Sequence, residues 1–501
     1  MAFVQNFPFI CILLTLFSGP LCAILKRRGA KWVNTAVLLA ALVMSVAVLV
    51  FTASHGDSYV YQMGHFSAPW GNEIRVGVLE SLMAVFFCVI MLLCEWGGRW
   101  ELEGEIEESK QNLYYCLIGL LMSSLLALIY TNDIFTAYVF VEINTISACG
   151  LIMIRQTGRT IEASMRYMIM SLLGSGMLLL GICFLYDLTG HLLMSNIQEQ
   201  VAVLAQSEEA RIPLLITITL IAVGLAIKSA LWPFHAWLPD AYGYSTVSSS
   251  AILSSLVSKG YIFLLIKIFY RVIGFDVIRQ SEVINVLFIC GVLGMIMGSV
   301  SAIRESDVRR MIAYSSVAQI GYIFMGIGLG TTAGIVASLF HILSHAATKA
   351  LLFISVASLT DVSHDNRDFF SLTGAGFRNR LGGVAFTVGS LSMVGFPLFA
   401  GFISKILFAQ AAYETSLKML PALIALAIST ILNAVYFMKT VIRLYTPAKR
   451  AGIEVDTKTM KMIQQPTKAF AMIALIAVNL FLGLFSEPIV NLITEGLNMF
   501  A

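Results

Sequence analysis

Long apolar runs, each about the length of a membrane-spanning helix, follow one another along almost the entire chain. Short polar loops separate these runs, and no stretch between them is long enough to form a soluble domain. Because about 20 consecutive apolar residues are needed to cross a bilayer, the pattern predicts an all-α polytopic membrane protein with about 14 transmembrane helices in one membrane domain, residues 1–501. The predicted spans are centred near residues 15, 43, 87, 120, 143, 177, 220, 257, 290, 319, 345, 397, 428 and 482.

The composition supports this prediction. Of the 501 residues, 58% are hydrophobic and 12% are charged, whereas soluble domains carry roughly 25% charged residues. A soluble globular fold is therefore excluded. The net charge of +3 is small, and the basic residues lie in short loops rather than in one stripe, so nothing in the sequence indicates nucleic-acid binding.

The end of the first span does not suggest a cleaved signal peptide, and the cysteines do not suggest a bound metal or cluster. The first apolar run, about residues 7–25, ends at Lys26, Arg27 and Arg28 rather than at a small-residue cleavage site, so we interpret it as a retained span. All eight cysteines lie in apolar stretches and none forms a CxxC pair. The sequence therefore predicts no iron–sulfur or zinc site, no other metal site and no cofactor in this chain.

Basic residues are concentrated in alternate loops. The opposite set of loops holds little beyond Arg75, Arg211, Arg271, Arg279 and Lys418. By the positive-inside rule, this asymmetry predicts that both termini lie on the outer side of the cell membrane.

Two predicted cytoplasmic segments carry unusual charge. The acidic run Glu101–Glu108 is interpreted as a solvated loop, with docking of a basic partner as the alternative. The lysine-rich stretch Thr446–Lys468 is expected to lie along the membrane interface.

Ionisable residues inside the apolar runs are the candidates for function. An unpaired central charge costs roughly 3 kcal/mol on insertion scales, so these side chains must face one another, protein or water. They predict a polar path through the helix bundle, with Lys267 near the end of its span reaching toward the interface. The central residues of the predicted path are Glu142, Lys228, Lys259, His341, His345, Lys349 and Lys405.

Three of these residues recur every four positions. His341, His345 and Lys349 therefore lie on one stripe of a helix that extends about 12 Å along the axis. Imidazole both donates and accepts hydrogen bonds and titrates near neutrality, which suits proton transfer. A histidine pair that is satisfied by neighbouring carbonyls is the structural alternative.

Glu142 is the acidic residue closest to the centre of its span, and Lys228 is the central cation available to it. The pair is interpreted as a switch, in which withdrawal of the carboxylate frees the lysine to pass its proton to Lys259. A static ion pair is the alternative.

Prolines interrupt two of the apolar runs. Pro233 follows Lys228 by five residues, and Pro397 precedes Lys405 in a Gly/Pro-containing run. Each proline removes a backbone donor and predicts a broken helix. Paired breaks suggest two related halves, although the order of lysine and proline is reversed between them.

Four motifs resemble those of a known family. They are Lys228 followed by Pro-Phe-His-Ala-Trp-Leu-Pro-Asp-Ala at 233–241, Ser-Lys-Gly at 258–260, His341-x3-His345-x3-Lys349, and Gly-Phe-Pro-x3-Gly-Phe-Ile-Ser-Lys405. In this order they resemble a family of antiporter-like, proton-translocating subunits. The family is shared by Mrp cation/proton antiporters (their D-type subunits), respiratory complex I (its M-type and N-type subunits) and membrane-bound hydrogenases.

The resemblance implies two inverted five-helix repeats, about residues 111–270 (spans 4–8) and 278–446 (spans 9–13), with helices 7 and 12 broken. Residues 447–501 then form the interfacial segment and the last span. All seven path residues named above match positions of the family's proton path. Lys405 matches members that carry lysine at the end of this path rather than glutamate.

The implied function is translocation of protons, alone or in exchange for Na⁺, by one membrane subunit of a multisubunit complex. The chain has no redox or hydrolytic motif of its own, so the driving energy would come from an ion gradient or from partners. Those partners would be other membrane subunits and redox subunits with iron–sulfur clusters, as in an NADH dehydrogenase-like or hydrogenase complex. Which complex hosts the chain stays open.

Two other functions compete. A stand-alone secondary transporter of an organic solute also has broken helices and repeats, but requires a binding pocket at the membrane midplane. A membrane enzyme using His235 and Asp240 as acid and base is the third candidate.

Overall fold

Helices make up nearly the whole of the computed structural model, which describes residues 3–66, 71–447 and 465–500. Helices suit a membrane because each satisfies its own backbone hydrogen bonds. The α-helices are α1 (Phe7–Ile24), α2 (Arg27–His55), α3 (Val78–Gly97), α4 (Arg99–Glu105), α5 (Gln111–Tyr130), α6 (Ile134–Met153), α7 (Gly158–Thr189), α8 (Met194–Leu204), α9 (Arg211–Lys228), α10 (Leu238–Tyr244), α11 (Val247–Ile252), α12 (Ser258–Arg271), α13 (Phe275–Gln280), α14 (Val283–Arg304), α15 (Val308–Gly328), α16 (Thr332–Thr360), α17 (Ala375–Arg378), α18 (Arg380–Val394), α19 (Ala400–Tyr413), α20 (Met419–Leu444), α21 (Pro466–Leu484) and α22 (Ser486–Asn498).

Short elements complete the described chain. The 3₁₀ turns are Phe3–Asn6, Met63–His65 and Glu108–Lys110. Strands β1 (Tyr59–Gln62) and β2 (Glu73–Val76) pair antiparallel, with Tyr59 opposite Val76. This small hairpin connects the second and third spans, and its Tyr61, Ile74 and Val76 are buried.

The predicted membrane spans are present. Thirteen stretches of the described residues are long and apolar enough to cross a membrane. Two shorter helices, α18 and α19, take the place of the predicted twelfth span. The prediction of an all-α, multi-pass membrane protein is confirmed.

Both predicted helix breaks are also present. Helix α9 ends at Lys228, and α10 begins only at Leu238. Helix α18 ends at Val394, and α19 begins at Ala400. Gly395 follows α18 with a φ of 89°, a left-handed conformation that glycine adopts without the steric cost of a Cβ and that commonly ends helices.

Two spans form the centre of the bundle. A π-helical turn, Leu253–Val257, joins α11 and α12 into one continuous span. The most apolar window of this span, and that of α16, is 100% buried. Both are surrounded on all sides by other helices, so their polar side chains must find partners inside the protein.

Both described chain ends lie on the same side of the bundle. The Tyr59 hydroxyl donates to the carbonyl of Gln5, and the Arg75 guanidinium donates to the carbonyl of Met499. This arrangement agrees with an even number of crossings.

The end of the chain differs from the prediction. The last apolar run divides into the span α21 and a separate helix, α22, which packs against α3 and α16. Lys468, expected in an interfacial stretch, lies in α21 and is buried. Residues 448–464 of that stretch lie outside the described residues.

The acidic run is only partly a solvated loop. Glu101 pairs with Lys468, whose ammonium also lies 2.8 Å from Asp361. Glu105 accepts from the backbone N–H of Val247 at 3.1 Å. These two carboxylates are therefore used within the chain, and the expectation of a solvated loop is wrong for them.

Candidate functional site

Glu142 and Lys228 meet, but in different surroundings. The Lys228 ammonium lies 3.5 Å from a Glu142 carboxylate oxygen, and the lysine side chain is completely buried while that of Glu142 is 25% exposed. Ser175 donates a hydrogen bond to the same carboxylate. The structure brings the predicted partners together. Glu142 lies at the surface of the helix bundle, and Lys228 lies inside the bundle.

Lys228 has a second polar partner, Thr145, whose hydroxyl accepts its hydrogen bond at 2.8 Å. This hydroxyl lies 3.3 Å from the Tyr261 hydroxyl, which donates to the Asn144 side chain at 3.0 Å. The lysine is therefore not dependent on Glu142 for hydrogen bonding. Sequence analysis did not identify these residues, because threonine, asparagine and tyrosine inside an apolar span carry no charge signal.

Lys259 lies directly after the π-helical turn. Its ammonium donates to the backbone carbonyl of Ser254, within that turn. The neighbouring carbonyl, that of Leu253, accepts from the Tyr242 hydroxyl at 3.1 Å, and this hydroxyl also lies 3.1 Å from Ser258 Oγ. Turns of this kind are rare and occur often at functional sites. Here the turn supplies Lys259 with a carbonyl acceptor in the middle of the span Val247–Arg271.

Lys349 points from α16 toward α15. Its ammonium donates to the carbonyl of Ile312 at 2.7 Å and to the Ser315 hydroxyl. The side chain is completely buried.

His341 and His345 lie one turn apart as the sequence predicted. Their rings are nearly parallel, with centroids 5.9 Å apart. His341 Nδ1 lies 3.0 Å from the Ser404 hydroxyl. Neither nitrogen of His345, nor His341 Nε2, forms a hydrogen bond with any described residue. The alternative in which backbone carbonyls satisfy both histidines therefore does not apply to these three nitrogens.

Lys405 lies at the second helix break. Its ammonium donates to the carbonyl of Val394 at 2.5 Å and to the Thr430 hydroxyl at 3.0 Å. A cavity of about 10 Å³ is lined by Lys405, His341 and His345, which is room for about one water molecule. The lysine and the histidine pair thus share one small polar space.

The predicted residues form a file on neighbouring spans. Helix α12, which carries Lys259, packs against α9 and α16. Helix α16, which carries the histidine pair, packs in turn against α19, which carries Lys405. Within the described chain, Lys228 is the member of this file with a carboxylate in ion-pair range, while the other three lysines bind carbonyl and hydroxyl oxygens.

The expectation for Lys267 is wrong. Its side chain does not reach the interface but is fully buried, and its ammonium donates to the carbonyls of Ile129 and Thr131 at 2.7 and 2.5 Å. These carbonyls lie at the C-terminal end of α5, where cations are stabilised by the helix dipole. Arg271, assigned to a loop, is likewise buried and lies 2.5 Å from Glu80.

His235 and Asp240, the candidate acid and base of a membrane enzyme, are not paired with each other. Asp240 is bridged by two guanidinium groups, those of Arg166 at 2.9 Å and Arg310 at 2.5 Å. His235 lies on the helix break, and no hydrogen bond between it and Asp240 occurs among the described residues. Within the same residues, no group of three His, Cys, Asp or Glu side chains has a geometry that would hold a metal ion.

The fold and the file of buried basic side chains define a class, that of antiporter-like, multi-pass membrane subunits. Residues 131–432 match the family described as NADH:quinone oxidoreductase/Mrp antiporter, transmembrane region, and the chain belongs to this family. The resemblance recognised in the sequence is thereby confirmed.

Individual relatives match over nearly their full length. NADH-quinone oxidoreductase subunit N of Desulforudis audaxviator is 30% identical over 499 residues, 97% of each chain. A chain of the membrane-bound sulfane sulfur reductase, an archaeal respiratory membrane complex, superposes with a TM-score of 0.86 at 26% identity, covering 98% of this chain and 97% of that one. A chain of the Mrp complex from Dietzia sp. has the same fold, with a TM-score of 0.86, 24% identity and coverage of 100% and 98%.

Proposed function

We propose that this chain carries protons through the membrane, alone or in exchange for Na⁺, as one subunit of a multisubunit complex. The observation that carries the proposal is the file of buried lysines and histidines on neighbouring spans, since ionisable residues inside a membrane are costly and typically mark an ion or proton pathway. The residues of the proposed path are Glu142, Lys228, Lys259, His341, His345, Lys349 and Lys405.

The partners of the lysines suit proton exchange. Carbonyl and hydroxyl oxygens stabilise an ammonium group less strongly than a carboxylate does. The lysine can therefore also exist as the neutral amine, as proton exchange requires. The free nitrogens of His345 are available to accept a proton on one side of the ring and donate one on the other. Movement of charge along such a file changes the proton affinity of each neighbour in turn.

We further infer that the path crosses two inverted five-helix units, residues 111–270 and 278–446. In support, each unit contains one broken helix, α9–α10 or α18–α19, and each break is next to a lysine of the file. The segment after residue 446 contributes the last span. The bias of basic residues supports termini on the outer side of the cell membrane.

A partly exposed carboxylate and an exposed helix break support neighbouring membrane subunits as partners. Glu142 is 25% exposed, and the second break exposes Phe396 and Leu398 by 51% and 58%. Non-helical backbone is not tolerated against lipid, so another membrane subunit would cover these surfaces. The names of the relatives place them in multisubunit complexes, and redox subunits with iron–sulfur clusters would supply energy if the host is a respiratory complex.

The proposal accounts for the structure better than transport of an organic solute does. A solute transporter requires a pocket at the membrane midplane, and small-molecule sites usually occupy roughly 300–1,000 Å³. The cavity between the histidine pair and Lys405 measures about 10 Å³. The cavities of about 1060 and 320 Å³ are lined instead by residues at one end of the bundle, including Arg155 and Arg367.

The test uses the complex purified through an affinity tag on this chain. Co-purifying subunits identify the host, and a fluorescent ΔpH dye in membrane vesicles measures proton flux driven by a Na⁺ jump, NADH or H₂. Lys259→Met should lower flux by about tenfold or more while assembly is retained.

The matched control is Lys418→Met. Lys418 also binds a backbone carbonyl, that of Gly328 at 2.7 Å, but lies outside the file and should leave flux unchanged. Normal flux in the Lys259→Met complex would refute the proposed path.

A further inference from the structure

Asp240 lies at the centre of an arginine cluster on the side of the bundle opposite the chain ends. Its two carboxylate oxygens accept from Arg166 on α7 and Arg310 on α15. Arg310 also donates to Glu305 at 2.9 Å and to the Tyr244 hydroxyl at 2.8 Å. The Asp240 side chain is 15% exposed. Its two ion pairs connect the short helix α10 to two spans, α7 and α15.

The C-terminal end of α10 is held by three more arginines. Three successive backbone carbonyls there each accept from a different element: Gly243 from Arg367, Tyr244 from Arg155 and Ser245 from Arg309, at 3.0, 3.0 and 3.3 Å. These guanidinium groups are crowded, since Arg309, together with burial, lowers the pKa of Arg367 to about 10. Carbonyls at a helix C-terminus compensate such crowding.

Helix α10 connects this cluster to Lys259. Tyr242 on α10 donates to the Leu253 carbonyl and lies within hydrogen-bond distance of Ser258. The adjacent carbonyl, that of Ser254, is the acceptor of Lys259. A shift of α10 would therefore alter the turn that holds the lysine.

Helix α15 connects the same cluster to Lys349. Its first turn carries Arg309 and Arg310, which donate hydrogen bonds to α10 and the residue that follows it. In the next turn, the Ile312 carbonyl and the Ser315 hydroxyl accept hydrogen bonds from Lys349. The two helices touch closely, because a Cβ added at Gly243 would lie 2.8 Å from Cγ of Arg310. One close contact thus lies between the partners of two lysines in different halves of the chain.

We propose that Asp240 and Tyr242 are positioning residues that couple Lys259 to Lys349 through the contact between α10 and α15. Protonation of Lys349 changes its hydrogen bonds to α15. The Asp240–Arg310 contact transmits this change to α10. Tyr242 on α10 then shifts the π-helical turn whose carbonyl binds Lys259. The inference rests on the proposed function and adds to it a mechanical link between the two halves.

The first test is Asp240→Asn in the whole complex. Arg310 keeps Glu305 and Tyr244, so assembly should be retained. Flux per assembled complex should fall by about tenfold. The pH profile of the flux between about pH 6 and 9 should also shift, because Lys259 no longer responds to the protonation of Lys349. Asp240→Glu keeps the charge and should restore both. A double Asp240→Asn, Tyr242→Phe complex should be no worse than the stronger single variant.

A second variant separates the helices without changing charge. Gly243→Ala should lower flux in the same way, because the new methyl group forces Arg310 away. Its matched control is Gly176→Ala, where an added Cβ meets nothing within 4 Å.

Each outcome decides the inference. If the Asp240→Asn and Gly243→Ala complexes show normal flux and a normal pH profile per assembled complex, the coupling is refuted. If these variants lower only the amount of assembled complex, the residues have a purely structural role and the coupling is also refuted. Lys259→Met, measured in parallel, separates this failure from failure of the proposed function, which would require normal flux in that variant as well.

Discussion

Lys405 donates its hydrogen bond to the backbone carbonyl of Val394, the last residue of α18, at 2.5 Å. The lysine follows the break in sequence but reaches back across it to the C-terminal end of the preceding helix. Lys228 is itself the last residue of α9. Lys405 therefore lies at the negative end of a helix that is interrupted inside the membrane. The Lys228 ammonium instead contacts Thr145 and Glu142 on α6, so the reversed order of lysine and proline is accompanied by different partners at the two breaks.

This position leads to a prediction for Lys405→Arg. Arginine retains the positive charge and the donors for Val394 and Thr430, but it does not release a proton at physiological pH. If Lys405 transfers protons, flux should fall by about tenfold or more while assembly is unchanged.

Lys405→Ala is the companion variant, since it removes both the proton carrier and the helix-end contact. It should lose flux and part of its thermal stability. If the arginine variant transports at the wild-type rate, Lys405 acts through its charge alone and is removed from the proton path.

A second prediction concerns Lys349→Met. Methionine fills most of the space of the lysine stem, and the partners left behind, a helix carbonyl and the Ser315 hydroxyl, have alternative bonds to neighbouring backbone. Assembly should therefore be retained while flux falls by about tenfold or more. Vesicle flux and subunit composition measured on the same preparation check this, and unchanged flux would show that the stripe on α16 is not a path.

Much of the candidate site was predictable from residue type. A lysine, histidine or glutamate in an apolar run is visible in the sequence because lipid penalises it, and Pro233 and Pro397 mark breaks because proline cannot donate a backbone hydrogen bond. The structure accordingly brings together the predicted neighbours Glu142 and Lys228, and His341 and His345.

What the sequence could not indicate depends on contacts between distant segments. The burial of Lys267 depends on carbonyls at the end of α5, more than 130 residues away. The π-helical turn before Lys259 has no sequence signal, because serine and leucine are common in ordinary helices. Both features are decided by tertiary packing rather than by local pattern.

The buried Glu80–Arg271 pair gives a prediction about stability. Both side chains are at most 1% exposed and their charged atoms lie 2.5 Å apart, so Glu80→Gln leaves a buried guanidinium without its counter-charge. Loss of one partner of such a pair costs about 3–5 kcal/mol. The amount of assembled complex and its melting temperature should fall, while flux per remaining complex stays normal.

Asp276→Asn is the control for this stability measurement. Asp276 forms a comparable pair with Arg279, but its side chain is 90% exposed, and exposed pairs contribute little. Equal melting temperatures for the Glu80→Gln and wild-type complexes would contradict the assigned role of the buried pair.

The last prediction distinguishes a switching from a static pair at Glu142 and Lys228. Glu142→Gln keeps the size of the side chain and its contact with Ser175 but removes the charge 3.5 Å from the lysine. Lys228 retains its bond to Thr145, so the complex should still assemble. If the pair switches, flux should fall by about tenfold or more because the proton affinity of Lys228 is no longer set by a movable carboxylate.

The double variant Glu142→Gln, Lys228→Met completes this test. Two residues that act in one step are not additive, so a switch predicts that the double complex transports no worse than either single complex. A static pair predicts a different pattern: each single substitution lowers assembly because it leaves one buried or partly buried group uncompensated, and the double substitution restores assembly. Assembly and flux measured separately for the three complexes separate the two cases, and normal flux in the Glu142→Gln complex would exclude the switch.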